Sequence, residues 1–134
     1  MAVPLLEATA VDHVGIAVLA PAGHALVRAL GPEPAGTVMP SGVAVARFGP
    51  GHGLELVWPE RPGTPIDRFL ARRGPGLHHI ALAVPEPLGA LAERLRAAGL
   101  ETAGGIERSS DGRPSLFLHP SSTGGVLVEL VETR

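Results

Sequence analysis

An internal repeat constrains the fold of this chain more than any other feature of its sequence. The stretch VDHVGIAVLAPAG, residues 11–23, aligns without a gap on LHHIALAVPEPLG, residues 77–89, so that His13 matches His79. Both stretches are apolar runs with a histidine near the start and a Pro and a Gly near the end. Self-similarity at this spacing predicts two copies of one structural module.

A glutamate in each half extends the match. LELV, which contains Glu55, aligns on VELV, which contains Glu129. Taken singly, each Glu could face solvent from an antiparallel sheet and each His could be a satisfied, half-buried residue. An ionised carboxylate among Leu and Val is costly to bury without a partner, and a divalent cation is a strong partner. Equivalent positions in both halves therefore predict a shared metal site made by His13, Glu55, His79 and Glu129.

The two histidine stretches alternate in a way that predicts their faces. Residues two apart on a strand share a side. The residues expected beside each histidine are the smallest of its strand, namely Gly15 and Ala17 in the first, and Ala81 and Ala83 in the second. Small neighbours leave room for a bound group. His78 aligns with Asp12, and we expect these two either to orient a ligand or to lie solvated at the strand end.

The length and the repeat predict one α+β domain over residues 1–134. We place module one at about 10–59, a linker helix at about 60–75 and module two at about 76–132. The predicted fold is a tandem duplication of βαβββ modules that form a curved mixed sheet around a metal-binding cleft.

Periodicity and turn residues predict the other elements. A Pro/Gly loop is expected from Gly31 to Gly42, after a short helix. The predicted elements are helices over residues 21–31 and 87–99, strands over 43–49 and 54–59 joined by the turn PGHG, a linker helix after Thr64, and three strands within ETAGGIERSS, PSLFLHP and VLVELVE.

Composition limits the chemistry that the chain can perform. The sequence contains no Cys, Lys, Tyr, Asn or Gln, so thiolate and Schiff-base mechanisms are excluded. The net charge of −2 argues against a nucleic-acid partner. The sequence shows neither a membrane span nor a signal peptide, so we expect a soluble, cytoplasmic protein.

Three motifs, DHVGIAV, GLHHIALAV and VELVE, resemble the vicinal oxygen chelate superfamily, which includes glyoxalase I. Within it, TPIDRFLARRGPGLHHIALAV and FLHPSSTGGVLVELVE are similar to the methylmalonyl-CoA epimerase family. The resemblance implies a divalent metal, Co²⁺, Mn²⁺, Ni²⁺ or Zn²⁺, bound by His13, His79 and Glu129 with Glu55 at the fourth ligand position.

The resemblance also implies an isomerase, a metal-dependent epimerase that interconverts (2R)- and (2S)-methylmalonyl-CoA by removing the α-proton through a metal-stabilised enolate. Glu129 or Glu55 would act as acid or base, and the second such group is unassigned because MPSGVAVARF lacks the glutamate usual there. The alternatives are a glyoxalase-I-like lyase of the lactoylglutathione lyase type and a metal-free small-molecule-binding resistance protein. We expect an acyl-CoA substrate and a homodimer.

Other polar residues have weaker roles in this interpretation. His119 either lines the substrate end of the cleft or bonds to nearby backbone in a turn. His24 and His52 are expected to be solvated, and Trp58 to lie in the core or an interface. The paired N–H donors of an arginine guanidinium match the spacing of phosphate oxygens, so arginines are candidates to bind the phosphates of CoA. The candidates for the CoA phosphates are Arg47, Arg61, Arg68, Arg72 and Arg73.

Overall fold

Each half of the chain forms a four-stranded mixed sheet. The computed structural model describes residues 4–32 and 34–133. Its elements are, in chain order, β1 (Ala10–Ala17), α1 (Ala25–Leu30), β2 (Thr37–Val38), β3 (Val43–Phe48), β4 (Leu54–Pro59), α2 (Pro65–Arg73), β5 (Gly76–Val84), α3 (Leu88–Ala97), β6 (Thr102–Arg108), β7 (Pro114–Leu118) and β8 (Val128–Glu132). We call His13–His78 the first unit, and the described residues up to Asp12 together with those from His79 onward the second unit.

The first unit has the strand order β2-β3-β4-β1. Strands β3 and β4 form an antiparallel hairpin, and β1 lies parallel to β4. One face packs around Leu56 and Trp58 and receives Val27 of α1. The other face packs around Ala17 and the apolar side of α2. Both faces of this sheet are therefore covered, and α2 covers the one that carries His13.

The second unit repeats this plan with the order β5-β8-β7-β6. Strand β5 lies parallel to β8, and the remaining neighbours are antiparallel. Leu91 and Leu95 of α3 are fully buried against Leu116 and Leu130 of the sheet. The predicted α+β class and the duplicated βαβββ order are confirmed, whereas the single-domain assignment and the module bounds stay predictions.

Two local predictions were wrong in extent. Helix α1 begins at Ala25 rather than at residue 21, because Gly23 has a φ of +75° and ends a turn before the helix. The segment predicted as a loop before β3 contains the short strand β2, in which Thr37 and Val38 pair with the antiparallel strand β3. Two successive β-branched residues favour this extended pairing.

The linker helix is confirmed as α2. Thr64 caps it by accepting the Asp67 backbone N–H at 3.1 Å, and the Asp67 carboxylate accepts the Gly63 backbone N–H at 2.9 Å. This differs from a full capping box because the carboxylate returns to Gly63 and not to Thr64. Within the described residues, no helix is long and apolar enough to cross a bilayer.

Candidate metal centre

The first unit brings His13 and Glu55 together. Residues on β1 alternate in burial, with His13, Gly15 and Ala17 buried and Val14 and Ile16 less so. Gly15 stands opposite Glu55 on the parallel strand β4. The His13 Nε2 atom lies 3.6 Å from Glu55 Oε1, and the two residues are only 1% and 5% exposed.

The second unit reproduces this arrangement on β5 and β8. His79, Ala81 and Ala83 are buried, and Ala81 stands opposite Glu129. The His79 Nε2 atom lies 3.4 Å from Glu129 Oε1. The His79 ring also contacts Phe117 edge-on, with the ring centroids 5.6 Å apart. The same diagonal pairing of histidine and glutamate thus occurs in both modules.

The donor atoms fit a metal ion better than they fit a hydrogen bond within each pair. A hydrogen bond from imidazole to carboxylate spans about 2.7–3.2 Å, which is shorter than 3.6 and 3.4 Å. Two atoms each about 2.1 Å from one tetrahedral ion stand roughly 3.4 Å apart. Each histidine also presents Nε2, a usual ligand atom, to a buried carboxylate. Within each unit, the histidine and the glutamate therefore have the right chemistry and spacing for two ligands of a divalent ion.

Arg47 of β3 lies against the first pair, which the sequence analysis did not anticipate. It stands opposite Glu55 in the β3–β4 register, and its Nε donates to Glu55 Oε2 at 3.1 Å. Arg47 is among the sequence-based candidates for CoA phosphates, and in the structure it binds the Glu55 carboxylate. The contact with Glu55 could have been predicted from the hairpin, because a tight turn over residues 49–53 pairs residue 47 with residue 55.

Asp12 belongs to a second ion-pair group. Arg113 donates to both Asp12 carboxylate oxygens at 2.9 Å and, through Nε, to Asp111 at 2.8 Å. His78, which we had matched with Asp12, instead contacts Phe69 edge-on at 4.8 Å between ring centroids. The two aligned residues therefore have different partners. Asp12 and Arg113 are 101 residues apart in the sequence, so no local pattern could have predicted their contact.

The Asp111 carboxyl has a lowered pKa. Burial, the largest single influence, acts to raise this pKa, but the Ser109 hydroxyl, the Arg113 backbone N–H and the Arg113 guanidinium together lower it below the usual value. The pKa of Arg113 is raised, chiefly by its hydrogen bonds to Asp12. The ion-pair group is therefore charged near neutral pH.

The remaining histidines act on local backbone or face solvent. His119 is exposed and caps a 3₁₀ turn, where its Nδ1 accepts the Ser121 backbone N–H at 3.1 Å. His24 caps α1 by accepting the Leu26 N–H at 3.2 Å. His52 is exposed at the β3–β4 turn, as predicted.

Trp58 is buried in the core of the first unit, as predicted, and its indole N–H donates to Glu60 Oε1 at 2.9 Å. Two of the arginines considered for phosphate binding bond to backbone, Arg61 to the Pro40 carbonyl and Arg68 to the Gly63 carbonyl. The Arg73 guanidinium lies 5.9 Å from the centre of the Phe69 ring.

Known proteins resemble this chain in sequence and in structure. The ethylmalonyl-CoA/methylmalonyl-CoA epimerase of Cereibacter sphaeroides is 40% identical over 84 residues, which cover 60% of this chain and 62% of that protein. The crystal structure of methylmalonyl-CoA epimerase from Mycobacterium tuberculosis superposes with a TM-score of 0.82 and 32% identity, over 100% of this chain and 93% of that one. The Streptomyces coelicolor methylmalonyl-CoA epimerase, in complex with 2-nitronate-propionyl-CoA, gives a TM-score of 0.81 and 32% identity, over 95% and 99% of the two chains.

Family membership rests on a match over most of the sequence. The pattern of the Glyoxalase/Bleomycin resistance protein/Dioxygenase superfamily covers residues 12–117. That range includes His13, Glu55 and His79. The chain therefore belongs to the glyoxalase/bleomycin resistance protein/dioxygenase superfamily.

Proposed function

We propose that this protein is a metal-dependent epimerase that interconverts (2R)- and (2S)-methylmalonyl-CoA. The observation that carries the proposal is the repeated pair of buried donors, His13 with Glu55 and His79 with Glu129. Support for the substrate comes from the 32–40% identity to proteins named as epimerases of this acyl-CoA. The substrate is thus an acyl-CoA, and the enzyme is an isomerase.

The buried donors have two proposed tasks. His13, His79 and Glu129, with Glu55, would hold one divalent ion, which when bound would stabilise the negative charge that develops as the α-proton leaves. Inversion requires a proton to leave one face of the α-carbon and to return on the other. Glu129 or Glu55 is the proposed proton-transfer group on one face, because a carboxylate can accept and return a proton within hydrogen-bond reach, and the group on the other face is unassigned. Burial limits the access of bulk water, so the proton would pass directly between a carboxylate and the substrate, and that carboxylate would exchange its proton with solvent between turnovers.

The donor chemistry also bears on which metal is bound. Two imidazoles and two carboxylates suit borderline ions such as Co²⁺, Mn²⁺, Ni²⁺ or Zn²⁺. A homodimer and a cytoplasmic location are further parts of the proposal.

Deuterium exchange at the α-carbon tests the function directly. Methylmalonyl-CoA of each configuration is incubated in D₂O with Co²⁺-loaded protein, and label uptake and inversion are followed by NMR and by chiral chromatography. We expect rapid exchange with inversion for the wild type and for a surface control, Arg96→Ala. The double variant His79→Ala, Glu129→Ala should lose at least about 100-fold in rate, as loss of one well-placed acid or base does.

Two outcomes would contradict the proposal. Tight metal binding without exchange would favour a glyoxalase-I-like lyase, for which a hemithioacetal is the substrate to try next. Exchange that persists at full rate after complete removal of metal by a chelator would contradict the metal requirement.

A further inference from the structure

Arg47 shares a sheet face with the proposed ligands of the first unit. Arg47 lies two residues after Val45 on β3, so the two side chains point to the same face of the sheet. Val45 packs in the same cluster as Ala17, which lies on the His13 face. The side chain of Arg47 is 17% exposed and that of Glu55 is 7% exposed. Partial burial strengthens the attraction between these two charged groups, because water screens it less than at an exposed site.

The two oxygens of Glu55 have different neighbours in this arrangement. Oε2 accepts the Arg47 Nε–H at 3.1 Å, whereas Oε1 faces His13 Nε2 at 3.6 Å. A planar guanidinium bound at one oxygen restricts rotation of the carboxylate about its last bond. The contact therefore sets which oxygen is presented beside the imidazole.

The contact also changes the charge around the donors. Two carboxylates carry a charge of −2, and the guanidinium beside one of them reduces the local sum to −1. With a divalent ion bound, the group would be positive overall rather than neutral. A positive centre attracts a substrate that carries a carboxylate and becomes more negative during the reaction.

We propose that Arg47 is a positioning residue for the metal centre, which holds Glu55 so that Oε1 serves as a ligand atom. This inference rests on the proposed function, because it needs a metal that Glu55 helps to bind. It also narrows the role of Glu55 from ligand or proton-transfer group to ligand. Arg47 has no direct contact with the reacting atoms in this proposal and acts through Glu55.

Metal affinity measures the proposed role without any assay of catalysis. Co²⁺ is titrated against a competing chelator for the wild type, Arg47→Met, Arg47→Lys and the control Arg28→Met, whose arginine is exposed in the last turn of α1. Methionine keeps the length of the apolar stem and removes the guanidinium. We expect Arg47→Met to weaken Co²⁺ binding about 10–100-fold, as loss of a hydrogen bond to a ligand does, because loss of the held ligand outweighs the removal of a nearby positive charge. Lysine should restore part of the affinity, and Arg28→Met should bind like the wild type.

A double-mutant cycle separates positioning from a general effect on the fold. In a Glu55→Ala background, Arg47→Met should no longer weaken Co²⁺ binding, because the residue through which Arg47 acts is absent and only the removal of a nearby positive charge remains. The visible spectrum of bound Co²⁺ should change with Arg47→Met in the wild-type background, since the geometry of one ligand changes. Thermal melts identify any variant that fails to fold. If Arg47→Met does not fold, the Co²⁺ affinity of Arg47→Lys is compared with that of the wild type instead.

Three results would overturn the inference. Wild-type Co²⁺ affinity in both Arg47 variants would show that the contact does not position a ligand. An equal loss in the Glu55→Ala background would show that Arg47 acts on the fold. Absence of Co²⁺ binding in the wild type would remove the proposed metal centre itself, and this failure is recognised because it appears without any Arg47 substitution.

Discussion

Arg113 holds two carboxylates that lie far apart in the sequence. Its guanidinium donates to Asp12 through two nitrogens and to Asp111 through a third, and its side chain is only 11% exposed. It also donates to the Glu132 carbonyl at 3.3 Å. The start of β1 and the end of β8 are therefore bonded to the same side chain, within the second unit.

We expect Arg113→Ala to lower the free energy of unfolding by about 3 kcal/mol, because two partly buried carboxylates lose their cation. Urea denaturation followed by circular dichroism provides the measurement. Arg96→Ala is the matched control, since Arg96 pairs with Glu93 in an exposed i,i+3 contact worth less than about 0.5 kcal/mol. Equal losses in the two variants would contradict the importance assigned to the Arg113 contacts.

Single residues differ in how far the sequence predicts them. The buried face of His13 and His79 was predictable, because alternation with Gly and Ala assigns sides of a strand without any tertiary information. The contact between Arg47 and Glu55 could be predicted from the pairing of residues in the β3–β4 hairpin. The contact between Arg113 and Asp12 could not be predicted, because charge pairs that are distant in the sequence leave no periodic pattern.

Helix α2 shows how an element supports the proposed site. Ile66 and Leu70 on its apolar side are buried in the cluster that contains Ala17, two residues beyond Gly15 on the His13 face. The helix begins at the cap made by Thr64 and ends where Gly74 takes a φ of +74°.

We expect Thr64→Ala to reduce the free energy of unfolding by about 1 kcal/mol, because the Asp67 backbone N–H loses its acceptor. Thr64→Ser keeps the hydroxyl and should lose much less. Chemical denaturation of both variants gives the comparison, and a serine variant as unstable as the alanine variant would show that the methyl group of Thr64 matters rather than its cap.

Element ends were harder to predict than element types. The cap of α2 was predictable from Thr64 followed by Asp67 three residues later. The start of α1 was not, since His24 caps it with a ring nitrogen in place of the usual hydroxyl or carboxylate. Strand β2 was missed because two residues give too short a pattern to distinguish from a loop.

At the scale of the whole molecule, the repeat predicted the topology because two copies of one hydrophobic order can only bury their faces in equivalent ways. The parallel pairing of β1 with β4 and of β5 with β8 follows from the same order in both halves. The sequence carried no measure of how far apart the paired donor atoms lie, since side-chain separations depend on packing.

Acid should destabilise the molecule partly through Asp111. The pKa of Asp111 is lower in the folded state than in the unfolded chain. The ionised carboxylate therefore stabilises the fold fully above the unfolded pKa of about 3.9, and this stabilisation is lost as the pH falls through the folded pKa. We expect Asp111→Asn to reduce the free energy of unfolding by about 1 kcal/mol near neutral pH. The difference from the wild type should shrink below about pH 4 in urea titrations at a series of pH values. A difference that is constant with pH would contradict this linkage.

The burial of Trp58 makes the chain its own fluorescent probe. It is the only tryptophan in a sequence without tyrosine, and it lies in the core of the first unit beside Leu56. Its emission therefore shifts to longer wavelength when that unit opens, whereas far-ultraviolet circular dichroism registers the strands of both units. One denaturation recorded with both signals distinguishes loss of the first unit from loss of the whole fold, because coincident curves are the signature of a single cooperative transition.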